Sequence, residues 1–281
     1  MKIQVSKNFK QLLVLVTGLA MFAGLVGCQD REVGMNILEM KPIDPSSCLA
    51  VGDEGAFRAG GVVDLALRTN YEVHPLVENN MVDTVTIKSL DSTDARVSTN
   101  SIVLRSAIIE YTALDQLSAN IQAQRIIPLS GTIGIGQQLL ITGLDLFSSD
   151  MLEQFRSADE FLLIDGGEAR PRRTDAEIIA HIRLKGETLD GREIESNEFL
   201  FPVRVCNGCM VTYPPEMLVE RSGVLSCPPR DPTMEDPTAT VEVPLCESSL
   251  GSDDTFVDCQ TCQGLAIDSF ARQLCQPPQL P

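Results

Sequence analysis

Between Glu177 and Val205 the chain alternates apolar and polar residues with a period of two, and no other stretch restricts its fold as tightly. Ile178, Ala180, Ile182 and Leu184 form one face, while Glu177, His181, Arg183 and Lys185 form the other. After Asp190-Gly191 the alternation returns with Phe199, Phe201, Val203 and Val205. Successive side chains of a strand point to opposite faces, so this pattern predicts two half-buried strands. Asp-Gly tolerates positive φ at both residues and predicts a type I′ hairpin turn between them.

Other segments carry the same signature. From Val63 to Val77 the odd positions are mostly apolar and the even ones include Asp64, Arg68, Asn70, Glu72 and His74, with a bend expected near Thr69-Asn70. Thr84–Ser89, Ser101–Tyr111, Gln124–Gly134 and Gln138–Phe147 are further strand candidates, separated by Gly, Asn, Asp and Ser. One short helix is expected over Met151–Ala158, with Asp150 as its cap and Glu153 in a capping-box position. Phe161–Ile164 is a short apolar run ended by Asp165-Gly166-Gly167. Seven or so strands with hardly any helix predict a mainly β chain, an Ig-like two-sheet antiparallel sandwich. Trp is absent, so its core must rest on Val, Ile and Leu.

Composition changes after Cys206. Eleven of the 16 prolines fall from Pro202 onward, and periodicity fades. Such a segment buries too little apolar surface to offset its chain entropy, so cross-links must order it. Seven of the nine cysteines lie there: Cys206, Cys209, Cys227, Cys246, Cys259, Cys262 and Cys275. With Cys48 they make an even set of eight disulfide candidates, for which 105 pairings exist. Cys48 is expected to tie the start of the body to the tail. The expected organisation is a leader over 1–27, a flexible tether over 28–47, a β-sandwich over 48–205 and a Cys/Pro-rich extension over 206–281.

The leader has Lys2, Lys7 and Lys10 followed by an apolar run from Leu12 to Val26. That run is about 15 residues long, suited to a secretory h-region and short of the roughly 20 a membrane span needs. It ends in Leu25-Val26-Gly27-Cys28, which resembles the lipobox of bacterial lipoprotein precursors. The resemblance implies cleavage before Cys28, then a diacylglyceryl thioether and an N-linked acyl chain on that residue. One chain alone holds a protein only marginally, at about 0.8 kcal/mol per CH₂, whereas several hold it stably. In enterobacterial lipoproteins an Asp directly after the lipidated Cys favours inner-membrane retention; Gln29 stands there, which implies the outer membrane. The layout also resembles cysteine-rich lipoproteins of myxobacterial type. Asn70-Tyr71 leading into Pro75-Leu76-Val77-Glu78-Asn79, Gly186–Gly191, and Phe199–Val203 followed by Cys206-x-x-Cys209 carry that likeness, and no activity travels with it.

The full chain holds 22 basic and 39 acidic residues. Removing the three leader lysines leaves 22 − 3 = 19 against 39, a net charge near −20. That balance argues against nucleic acid and against docking on anionic lipid through basic patches. Two CxxC pairs stand out, Cys206-Asn207-Gly208-Cys209 and Cys259-Gln260-Thr261-Cys262. They are compatible with structural disulfides, a four-thiolate zinc site or a redox pair; an oxidising compartment and the helix-poor residues after Cys209 favour the first. His74 and His181 both fall on polar strand faces, where solvent contact is the expectation. Gly134-Ile135-Gly136 reads as a turn. Gly251-Ser252-Asp253-Asp254 with Asp258 offers clustered oxygens for Ca²⁺ but lacks loop spacing, so a solvated turn is expected. No nucleophile, metalloprotease or P-loop motif occurs. The expectation is a non-enzymatic envelope protein acting in binding, adhesion or structure, with no catalytic residue, metal or cofactor. Its partner would be an envelope protein or glycan. Alternatives are a carbohydrate-binding module or carboxylate hydrolase, and a CxxC thiol oxidoreductase.

Overall fold

Eighteen strands and three short α-helices follow one another in a computed structural model that describes residues 34–44, 47–50, 55–82, 99–114, 122–165, 168–221, 224–228, 250–253 and 255–278. The leader, Cys28, Thr84–Ser89 and Cys246 lie outside the described residues. The first strands are β1 (Met35–Met40), β2 (Gly61–Asp64), β3 (Tyr71–Val73) and β4 (Pro75–Asn79). Then come β5 (Ile102–Ala113), β6 (Gln124–Pro128), β7 (Thr132–Ile133), β8 (Gln138–Leu140) and β9 (Leu144–Phe147). Helix α1 (Ser149–Arg156) leads to the hairpin β10 (Leu162–Asp165) and β11 (Glu168–Pro171). The long strand β12 (Asp175–Thr188) is followed by β13 (Glu193–Glu195) and β14 (Phe199–Cys206).

Five of these strands form the backbone of the large sheet, in the order β2-β14-β12-β5-β6, with β13 beside β12 and β7 beside β5. Every pair in it is antiparallel except β2 and β14, which run parallel. The expected wholly antiparallel pairing is corrected there. Parallel neighbours need a long return, and the chain between Asp64 and Phe199 supplies it. Ile178, Ala180, Ile182, Leu184, Phe201, Val203 and Val205 are all fully buried, as the alternation predicts. They share one apolar core with residues of β1, β3, β4, β9 and α1. Those strands belong to a three-stranded sheet, β1-β4-β8, and a two-stranded one, β3-β9. The described chain is thus mainly β, and these mostly antiparallel sheets share one core.

Gly186 interrupts β12 at a register shift against β5. A Cβ there would come within 2.5 Å of Ile102 Cγ2, so only glycine allows the strands this approach. The turn after β12 differs from the expected type I′. Only Gly191 has positive φ, 86°, while its N–H bonds to Thr188 O and Thr188 N–H bonds to Arg192 O. That is a three-residue connection with glycine in the left-handed position. Helix α1 also begins differently: Ser148 is its N-cap, and Asp150 lies inside the first turn.

Two larger corrections concern the ends of the body. The tether expected over 28–47 contains β1, whose Met35, Ile37 and Met40 are buried and which pairs with β4. A shift between Ile37 and Glu39 breaks its period and hides it from the sequence. The strand run over Val63–Val77, expected to bend near Thr69-Asn70, is broken over 65–70 and again at His74, and its pieces β2, β3 and β4 enter three different sheets.

Beyond β14 the described chain forms β15 (Val211–Thr212), β16 (Val219–Arg221), β17 (Val224–Ser226), β18 (Val257–Asp258), α2 (Cys259–Leu265) and α3 (Ser269–Leu274). β15 and β18 pair in parallel. Asp258 caps α2 by accepting Thr261 N–H, and Asp268 caps α3 by accepting Ala271 N–H. A second apolar cluster forms here around Val211, Val257, Ala271, Leu274 and four cysteines. Among the described residues, no helix is long and apolar enough to cross a membrane.

Candidate functional site: the CxxC loop and the groove beside it

Three disulfides join described residues: Cys206–Cys209, Cys227–Cys259 and Cys262–Cys275. Cys48 is disulfide-bonded as well. The two CxxC motifs are therefore used differently. The first closes on itself, whereas the second, on the first turn of α2, sends its two sulfurs to separate partners. A zinc site shared between them is not formed, because each of the four sulfurs is already bonded.

Cys206 ends β14, between β2 and β12 in the large sheet, and the next residues turn away from it. Asn207 N–H bonds to Thr174 O, and its side-chain amide donates to Arg172 O at 3.1 Å. Gly208 takes φ 76°, a conformation that favours glycine. Under this loop lies Asp64, the last residue of β2, at 0% exposure. Its Oδ1 accepts from Ala66 N–H (2.9 Å) and Gly208 N–H (2.8 Å), and its Oδ2 from Met210 N–H (2.8 Å). Burial pushes the Asp64 carboxyl above its ordinary range; the three N–H donors and the Arg173 charge oppose that rise. A carboxylate oxygen of Asp64 and the sulfurs of Cys206 and Cys209 lie within 4.8 Å of one another.

Arg173 sits on the other side of the loop. Its guanidinium donates to Gly208 O at 2.8 Å and Gln276 O at 2.7 Å, and also contacts Leu274 O and the Tyr213 hydroxyl. It stands 5.3 Å from the centroid of the Tyr213 ring. The Tyr213 hydroxyl donates to Leu274 O at 2.7 Å. One cation thus joins the CxxC loop to the end of α3. Asp64 and Arg173 escape sequence reasoning, since each works through backbone groups distant in the chain.

A groove of about 600 Å³ opens beside this loop, along β2, β14 and the start of β12. Phe57, Arg58, Asp175, Glu177, Arg204 and Asp253 line it, and Phe57 is 64% exposed. Arg204 Nε meets Asp175 Oδ2 at 2.6 Å, and Arg58 meets Asp253 at 3.2 Å. Asp253 also accepts the Tyr71 hydroxyl at 2.6 Å and has φ 55°. A Cβ on Gly61 would stand 1.8 Å from that hydroxyl, so glycine keeps the path open. The acidic cluster does not converge: Asp253 binds Arg58 and Tyr71, Asp258 caps α2, and Asp254 lies outside the described residues.

The histidines part company. His74 is 7% exposed, which corrects its expected solvent contact. It lies between β3 and β4, where the chain passes from one sheet to another and the strand period no longer holds. Its Nδ1 accepts Gly143 N–H at 2.9 Å, while Nε2 has no partner among the described residues. Burial lowers its pKa against the pull of Glu72 and Asp253. His181 lies on the outward face of the large sheet, half-buried, with Nε2 3.2 Å from Thr112 Oγ1 and Nδ1 3.5 Å from Glu198 Oε1. That order of groups resembles a nucleophile–base–acid relay. It stands outside the groove, and the pairing follows from the β5–β12 register that sets His181 beside Thr112 and Glu110.

No family model matches the chain, and no curated protein matches it. Among solved structures, the solution structure of a late embryogenesis abundant protein aligns at 10% identity over 72% of this chain and 86% of its own. Its TM-score of 0.28 is too low to carry an argument.

Proposed function

We propose that the chain is a lipid-anchored cell-envelope protein with a non-enzymatic role in binding, adhesion or structure, held through Cys28 and placed at the outer membrane. The observation that carries this reading is how the cysteines are used. Disulfides belong to oxidising compartments outside the cytoplasm. Three bridges take six of the nine cysteines and Cys48 is bonded, so only Cys28 and Cys246 remain. A lipid on Cys28 assigns Cys246 to Cys48 and leaves no free thiol.

Mass mapping of the exported protein tests this directly. The expected N-terminal peptide begins at Cys28 and carries acyl mass, with a separate Cys48–Cys246 bridge. A Cys28–Cys48 bridge overturns the anchor. Cys28→Ala is expected to move the protein from the detergent phase to the aqueous one.

A second reading, a carbohydrate-binding module, is favoured by the exposed Phe57 ring among the carboxylates and guanidinia of the groove. An aromatic face flanked by convergent polar groups is the usual composition of a small-ligand site. Retention on immobilised envelope glycans that Phe57→Ala abolishes would support it; no retention would reject it. In both readings the body is an Ig-like sandwich. The apolar core shared by the large sheet and the smaller sheets supports that description.

A further inference from the structure

The six cysteines in the described bridges are not equally reachable. Cys206, Cys227, Cys259, Cys262 and Cys275 are buried at 0% exposure, whereas Cys209 is partly exposed. Thiol–disulfide exchange begins with attack of a thiolate on a sulfur it can reach. Of these three bridges, only Cys206–Cys209 offers one.

The same bridge restrains the fold least. It spans a sequence separation of 3, against 13 and 32 for the others, and a short closed loop limits the unfolded chain least. Its loop has other anchors that survive bond cleavage. Asp64 holds the N–H groups of Gly208 and Met210, Arg173 holds Gly208 O, and Asn207 bonds Thr174 and Arg172. The other two bridges form part of the second apolar cluster itself.

We propose that Cys206–Cys209 is an exchangeable disulfide that takes two electrons from an external dithiol, with Cys209 as the attacked sulfur and Asp64 as the proton donor to the departing sulfur of Cys206. The dithiol's first thiolate attacks Cys209 Sγ, forming a mixed disulfide and breaking the Cys206–Cys209 bond. The electron pair of that bond leaves on Cys206 Sγ, a buried thiolate beside a buried carboxyl. Asp64 lies within 4.8 Å and gives it a proton, then recovers one from solvent. The second thiol of the dithiol, as thiolate, attacks its own sulfur in the mixed disulfide. Cys209 leaves as thiolate and is protonated by solvent. The dithiol is oxidised to a disulfide, and Cys206 and Cys209 are reduced to two thiols. Arg173 and Tyr213 are the other titratable groups facing Asp64. Burial raises Tyr213, and it stays protonated at neutral pH, so it does not compete for this proton. The inference is independent of lipid on Cys28.

Dithiothreitol added to the full folded chain, followed by alkylation and mass mapping, is the test. Cys206 and Cys209 are expected to be alkylated together, at least about tenfold faster than Cys227, Cys259, Cys262 and Cys275, with the β circular-dichroism signal retained. Loss of all three bridges in one step with unfolding overturns the proposal. The Asp64 role has its own readout in the wild-type chain. Reduction rate, divided by the thiolate concentration of the reagent, is expected to fall as pH rises through the Asp64 titration. A profile that stays flat from pH about 4 up to the highest pH at which the fold persists removes Asp64 from the reaction. Asp64→Asn, where it folds, is expected to flatten that profile; an unchanged profile in the variant likewise removes it.

Discussion

The large-sheet body and the C-terminal module solve the same problem by opposite means. The body's cluster is built from aliphatic and aromatic side chains, including Phe147, Phe155, Phe161 and Phe201, and contains no cysteine. In the module's cluster, four of eleven buried residues are cysteines. Long strands such as β12 present a whole apolar face, and each buried side chain removes enough area from water to offset its ordering. The module has helices of seven and six residues and strands of two or three. Elements that short bury too little by themselves, so cross-links limit the unfolded chain instead. Between the two stand Asp64 and Arg173, which couple them through backbone groups.

The comparison breaks most visibly if the body's core is cut. Phe201→Ala is expected to cost about 3–5 kcal/mol in a denaturant titration, with both regions unfolding together. Next comes the module. Replacing Cys262 and Cys275 by Ser is expected to cost about 2–4 kcal/mol, seen as fast hydrogen exchange in α2 and α3 with β12 still protected. Equal loss of protection in β12 would show that the regions are not separable. Arg173→Ala sharpens the junction: losing its bonds to Gly208, Leu274 and Gln276 is expected to cost about 2–3 kcal/mol. Proteolysis of the chain after Thr212 should then rise while the sheet stays intact. The smallest effect is expected at His74. Its folded pKa lies below the ordinary 6.5 because it is buried, so its neutral form belongs to the native state. Above pH 6.5 it leaves stability unchanged; as pH falls from there through the folded pKa, stability is lost. His74→Gln is expected to flatten that acid slope in a pH series of melting temperatures.

Legibility in the sequence followed element length. β5, β12 and β14 bury one face over eight or more residues, so their period repeats often enough to be read. β1 was hidden by its irregular register, and α2 and α3 by having too few turns to show a helical period. His74 is buried against its polar place in the strand period because the chain changes sheets there. The CxxC pairs were visible as chemistry but not as connectivity, since spacing is equal in both and only one closes on itself. The groove was invisible, as Arg58 and Asp253 meet through folding alone.

By itself the sequence determined that the chain is rich in strands and that an aliphatic body precedes a cysteine-rich end. These are local properties, set by side-chain period, residue type and spacing. The tertiary structure alone decided which sulfurs meet, that one strand pair is parallel, and that Asp64 lies beneath a loop 144 residues further along. Contacts between distant segments depend on how whole sheets stack, and neither period nor composition records that.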